Sequence, residues 1–164
     1  MGLGKALGFS LLAFIGLNFL FVIIAGTIDG TLATLFGDIS SNPLSIIGIL
    51  FGPIVYMPGT VVNGIYATIH MGTFDSFLIM FIGYLVSPFV ASLVAGRTGD
   101  SKGGSFGGWM ITALISSGAM AVLAFTQLAP IVVMVVIIGY ILSGVVNGIF
   151  YGCFALLFSK AEMY

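Results

Sequence analysis

Residues able to do chemistry are few in this chain and far apart. There is one histidine, His70, and one cysteine, Cys153. His70 and Asp75 flank Met71 to Phe74, a spacing that suits a proton-sensitive imidazole–carboxylate pair, although two solvated boundary residues are the simpler expectation. Asp29, at the end of an apolar run, has the chemistry to attract a cation or simply to stay wet. Nowhere does the order of residues pair a nucleophile with a base, two acids, or His, Cys and carboxylates at metal-ligand spacing. The expectation is therefore a protein that is not an enzyme and holds no cofactor or metal. A lone cysteine excludes an internal disulfide, and in an apolar helix its thiol behaves as a small hydrophobe.

Two further patterns stand out. The stretch from Gly96 through Arg97, Asp100, Lys102, Gly103 and Gly104 to Gly108 is glycine-rich and the most polar of the chain. It lacks the Walker spacing of Gly, four residues, then Gly-Lys-Ser/Thr after a strand, so a phosphate-cradling role is not expected. Val61-Val62-Asn63-Gly64-Ile65 recurs as Val145-Val146-Asn147-Gly148-Ile149, with Tyr66 and Phe150 following. Inverted repeats of broken helices build some transporter sites, but the similarity ends with these few residues, and chance or common helix-packing pressure is the expected account.

The elements that must position these residues are set by composition. Four basic and five acidic side chains occur in 164 residues, so 5% of the chain is charged against ~25% in a soluble domain, while 60% is apolar. So little charge cannot keep a globule in water, and lipid is the expected solvent. The net charge of −1 and the absence of a basic run exclude a nucleic-acid footprint.

The expected fold is an all-α integral membrane bundle forming a single domain over 1–164. Blocks 6–28, 74–96, 107–129 and 131–158 are each long enough to cross a hydrocarbon core of ~30 Å. The basic start and apolar run through Ala25 have the charge of a secretory signal, but the run is too long, and a first transmembrane helix is expected. The Met1-Gly2 opening lacks the Ser or Thr that myristoylation wants at position 6, where Ala6 stands. Thr31 to Phe36 suits a short interfacial turn, with Leu32, Leu35 and Phe36 on one face. The last two blocks, joined near Gln127 to Pro130, form a tight antiparallel hairpin.

Block 44–70 is different, because Gly52, Pro53, Pro58 and Gly59 interrupt it. Each proline removes a backbone donor and clashes with the preceding turn, so the block is either a kinked fifth span or a re-entrant hairpin. The positive-inside rule favours the hairpin: with four spans, Lys5, Arg97, Lys102 and Lys160 all face the cytoplasm, whereas five spans put Lys5 outside. Both paths make loop 97–105 and the C-terminus cytoplasmic. Arg97, Lys102, Lys5 and Lys160 are expected to set topology and meet lipid headgroups, with Trp109 as an interfacial anchor.

Gly144, Gly148 and Gly152 lie four apart on one helix face, and Gly48 with Gly52 repeats the spacing. Such faces let helices approach closely where lipid supplies no hydrophobic drive, and Asn147 beside them can donate an interhelical hydrogen bond. Their partner is either within the chain or in another subunit. From these features the expected function is a structural or accessory subunit, packing laterally with itself or with larger membrane partners in an oligomeric assembly, with membrane lipid around it. The alternative is a small channel or facilitator whose re-entrant pore element is lined by Tyr56, Thr60 and Asn63.

Overall fold

The structure, a computed structural model, describes residues 2–159. Every regular element among them is helical: α1 (Gly2–Asp29), α2 (Leu32–Ser41), α3 (Ser45–Phe51), a 3-10 turn (Gly52–Val55), α4 (Pro58–His70), α5 (Ser76–Thr98), α6 (Lys102–Gln127) and α7 (Pro130–Leu157). Four of these, α1, α5, α6 and α7, are long and apolar enough to cross a membrane. Residues 45–70 instead form two arms bent by 96°.

Two boundaries differ from expectation. Loop 97–105 contracts to Gly99–Ser101, because Ser101 is the N-cap of α6 and its Oγ accepts the Gly104 N–H at 3.1 Å. That bond satisfies a first-turn amide and carries the helix through Gly103 and Gly104, residues whose propensity opposes it. The turn expected at Thr31 to Phe36 extends into α2, which buries none of its residues.

Small residues in rows of four build the bundle. On α1 the buried stripe is Gly2, Ala6, Ser10, Phe14 and Asn18, and on α6 it includes Gly108, Thr112, Ser116 and Met120. Rows at i±4 are the ridges that interlock when helices pack, and small side chains let the backbones close up and gain dispersion contacts. A methyl on Gly108 would sit 2.5 Å from Ala6 Cβ, so α1 and α6 touch almost backbone to backbone. Ser10 and Thr112 share a buried hydrogen bond of 2.7 Å across that contact.

α1 and α5 run antiparallel: Gly2 abuts Asp100 just beyond α5, Phe21 fills the space beside Gly83, and Asp29 and Ser76 line one cleft. The ends of α1 and α5 that flank the broken segment are therefore at the same end of the bundle. Asp29 and Asp75 mark that acidic end. Lys5, Arg97 and Lys102 lie toward the other end, with Asp100, and there the Arg97 guanidinium is 5.9 Å from the Phe158 ring centroid at the close of α7. Lys160 lies outside the described residues.

Candidate functional site at the broken segment

Pro53 and Pro58 explain where the segment breaks. Pro53 lies in the first turn of the 3-10 stretch, and Pro58 at the start of α4 forces the residue before it into extended backbone, as Met57 shows with φ −68° and ψ 145°. Tyr56 is extended as well, at φ −92° and ψ 122°. The carbonyls of Ile54 and Tyr56 consequently lose their helical donors. Ile54 is 0% exposed, so water does not reach its side chain.

Asn147 supplies what the break removes. Its Nδ2 donates to Ile54 O at 2.7 Å and to Tyr56 O at 3.1 Å, and the side chain is 1% exposed. Only the NH2 side of an amide can face two carbonyls, so the orientation follows from the chemistry. Asn18 on α1 does the same one turn earlier, donating from Nδ2 to Leu50 O at 2.6 Å. Trp109 Nε1 in turn donates to the backbone oxygen of Asn147 at 3.3 Å. Two long helices thus pin the hairpin tip through buried amides, and a buried carbonyl left without a donor costs ~1–3 kcal/mol.

Trp109 is not the interfacial anchor expected. It is 0% exposed, packed edge-on between Phe14 and Tyr151 with ring centroids 6.1 Å away in each case. Phe14 from α1 and Tyr151 from α7 close over the indole, and the Asn147 carbonyl meets its N–H, so burial leaves no polar group stranded.

The glycine face packs within the chain. A methyl on Gly148 would lie 2.5 Å from Met110 Sδ, one on Gly152 2.5 Å from Phe106 Cε2, and one on Gly144 would collide with Ser117 Oγ, all on α6. Gly48 meets Leu123 of α6 at 3.5 Å, whereas a methyl at Gly52 would touch nothing, so those two glycines do not form one packing face.

Tyr56, Thr60 and Asn63 are all exposed. Thr60 and Asn63 line an open groove of about 580 Å3 with Met57, Pro58, Gly59, Val146 and Phe150, so the two copies of the repeated phrase border one groove. Tyr56 stacks on Tyr84 with centroids 4.8 Å apart. His70 and Asp75 are engaged separately: His70 stacks on Tyr66 at 5.8 Å, while Asp75 caps α5 by accepting the Leu78 N–H at 3.2 Å. Cys153 is exposed on α7. Among the described residues, no group of three His, Cys, Asp or Glu is placed to hold a metal.

Asn18 is the one amide in the apolar run of α1, and a lone amide in so apolar a helix needs a partner inside the protein, a signal in the sequence that does not by itself point to the break. No known protein family, curated protein or solved structure matches the chain.

Proposed function

We propose that the chain is a multi-pass membrane protein crossing the bilayer with α1, α5, α6 and α7, with residues 45–70 as a re-entrant hairpin entering and leaving on the acidic side. The basic end, with Lys5, Arg97 and Lys102, then faces the cytoplasm, as does the end of α7. Its role is that of a non-enzymatic structural or accessory subunit that packs laterally with copies of itself or with larger membrane partners.

One observation carries this reading: the Asn63 amide and the Thr60 hydroxyl lie uncovered in the groove beside Val146 and Phe150. Lipid chains offer such groups no hydrogen bonds, whereas a neighbouring protein does, at ~0.6–2 kcal/mol per interaction. The face of Gly144, Gly148 and Gly152, already filled by α6, is not the surface for this packing.

The test is the mass of the protein in native lipid discs. Dimers or larger species are expected, with Thr60→Val plus Asn63→Leu shifting them toward monomer while the unfolding midpoint holds, because both residues are exposed. A wild-type protein that is monomeric throughout defeats the proposal.

A small channel is the second reading, and the exposure of Tyr56 at the break and of Thr60 and Asn63 on α4 favours it. Any pore would run between protomers, because the Ile54 and Tyr56 carbonyls are already bonded to Asn147. Solute flux into reconstituted liposomes no greater than into empty ones ends that reading.

A further inference from the structure

We propose that the seam between α5 and α7 holds one anionic phospholipid, with its phosphate on Arg97 and an acyl chain in an aromatic cleft deeper in the bundle. The proposal rests on the reading of α5 and α7 as membrane-spanning. The cleft encloses about 290 Å3 and is lined by Leu85, Val86 and Phe89 of α5 and by Phe150, Tyr151 and Phe154 of α7. That volume lies at the small end of ligand pockets, which run from ~300 to ~1,000 Å3, and it suits part of one chain. Phe150 is the one residue the cleft shares with the groove beside α4, so its failure leaves lateral assembly untouched.

Packing along the seam creates the cleft. At the basic end the two helices touch, since a methyl on Gly96 would lie 2.7 Å from the Ala155 carbonyl oxygen. Deeper in, large rings stand in the seam: Phe89 meets Phe154 edge-on at 5.1 Å, and Phe154 meets Phe150 at 5.9 Å. Rings held edge to face by one another form fixed walls. Tyr151 is 2% exposed and turned toward Trp109, 6.1 Å between centroids, so the surface offered to an occupant is apolar.

Arg97 sets the chemistry of that occupant. It stands eleven residues beyond Val86, three turns on and so on the same face of α5, while Phe158 follows Phe150 and Phe154 at spacings of four on α7. The exposed guanidinium lies 5.9 Å from the Phe158 ring centroid, so the charge sits where these two rows meet. Its planar fork of N–H donors matches phosphate oxygens two at a time. Asp100, the acid at the same end, abuts Gly2 of α1 instead. Depth fits as well: Phe89 is ~12 Å from Arg97 along α5 at ~1.5 Å per residue, inside the ~15 Å of one leaflet of a ~30 Å core. A neutral lipid answers the cleft alone, and an anionic one answers the cleft and the charge together.

The experiment uses the full chain in discs of phosphatidylcholine with a minor fraction of phosphatidylglycerol, and native mass spectrometry counts the lipid that stays bound. Wild type is expected to retain phosphatidylglycerol selectively. Arg97→Gln should lose roughly tenfold in that selectivity and Arg97→Lys less, as a charge-assisted, two-pronged contact requires. Val86→Trp, which fills the cleft, should lower retention several-fold with Arg97 intact. Lys5→Gln, a basic residue of the same end on α1, is the control and should match wild type. Short-chain phosphatidylglycerol should compete for the site, and glycerol phosphate, which has the headgroup without a chain, should not. No preference for phosphatidylglycerol in wild type, equal losses in Arg97→Gln and Lys5→Gln, or equal competition by glycerol phosphate overturns the site. A chain that does not enter discs at all overturns the membrane-spanning reading and the site with it, so the two failures are told apart.

Discussion

Asn147 on α7 holds the Ile54 carbonyl at 2.7 Å across a sequence separation of 93 residues. The same amide takes the Tyr56 carbonyl, so one side chain replaces two helical donors that the prolines removed. The bond to Ile54 is buried, so it is not exchanged for water when lost, whereas the bond to Tyr56 lies at a partly exposed residue.

Asn147→Leu keeps the volume roughly constant, strands the buried Ile54 carbonyl and leaves the partly exposed Tyr56 carbonyl to water, so a loss of about 1–3 kcal/mol is expected, larger than that for Asn18→Leu, whose bond to Leu50 is only part-buried. Unfolding in mixed micelles of increasing SDS content measures both. Equal effects of the two substitutions would remove Asn147 from its central place.

The α6–α7 contact is least yielding at Gly144. Gly144→Val would drive a side chain into Ser117 Cβ and toward the Ala113 carbonyl, an overpacking that costs about 1–3 kcal/mol. Gly139→Ala, on the same helix but with open space around it, should be neutral or slightly stabilising in the same titration, because alanine favours helix over glycine.

Both ends of the hairpin should be accessible from one side of the bilayer. In a Cys153→Ser background, single cysteines at Asn42 and Thr73 are expected to react with a membrane-impermeant maleimide from outside, and one at Ser101 only after the membrane is opened. Labelling of Asn42→Cys and Thr73→Cys from opposite sides would establish a fifth span instead.

Asp75 is a cap, and its substitutions should behave as such. Asp75→Ala is expected to destabilise by about 1 kcal/mol, and Asp75→Asn by a few tenths at most, since asparagine accepts the Leu78 N–H equally well. A large loss in Asp75→Asn would show that the charge matters more than the cap.

The long helices are legible in the sequence because a bilayer crossing demands a length and an apolarity that soluble helices rarely combine. The break is legible through Pro53 and Pro58, whose effect on the backbone is local. The burial of Trp109 is not, since an indole next to a polar turn has the same neighbours in sequence whether it faces headgroups or, as here, Phe14 and Tyr151 from other helices. Gly144, Gly148 and Gly152 announce a close partner without naming it, and only the placement of Phe106, Met110 and Ser117 identifies α6. The start of α6 at Lys102 is masked by Gly103 and Gly104, against which the Ser101 cap prevails. The cleft of Asp29 and Ser76 is invisible to spacing, because it arises from two helices running antiparallel.

The latch between Asn147 and the hairpin also orders events in time. During synthesis, Ile54 and Tyr56 emerge before the helix that completes them, and at ~5–20 residues per second the 93 residues separating Ile54 from Asn147 take roughly 5–20 s to be made. Throughout that interval the break has a donor for Leu50, through Asn18, but none from α7 for its two later carbonyls. Docking of the hairpin through Ile54 and Tyr56 is thus completed only by the last helix of the chain.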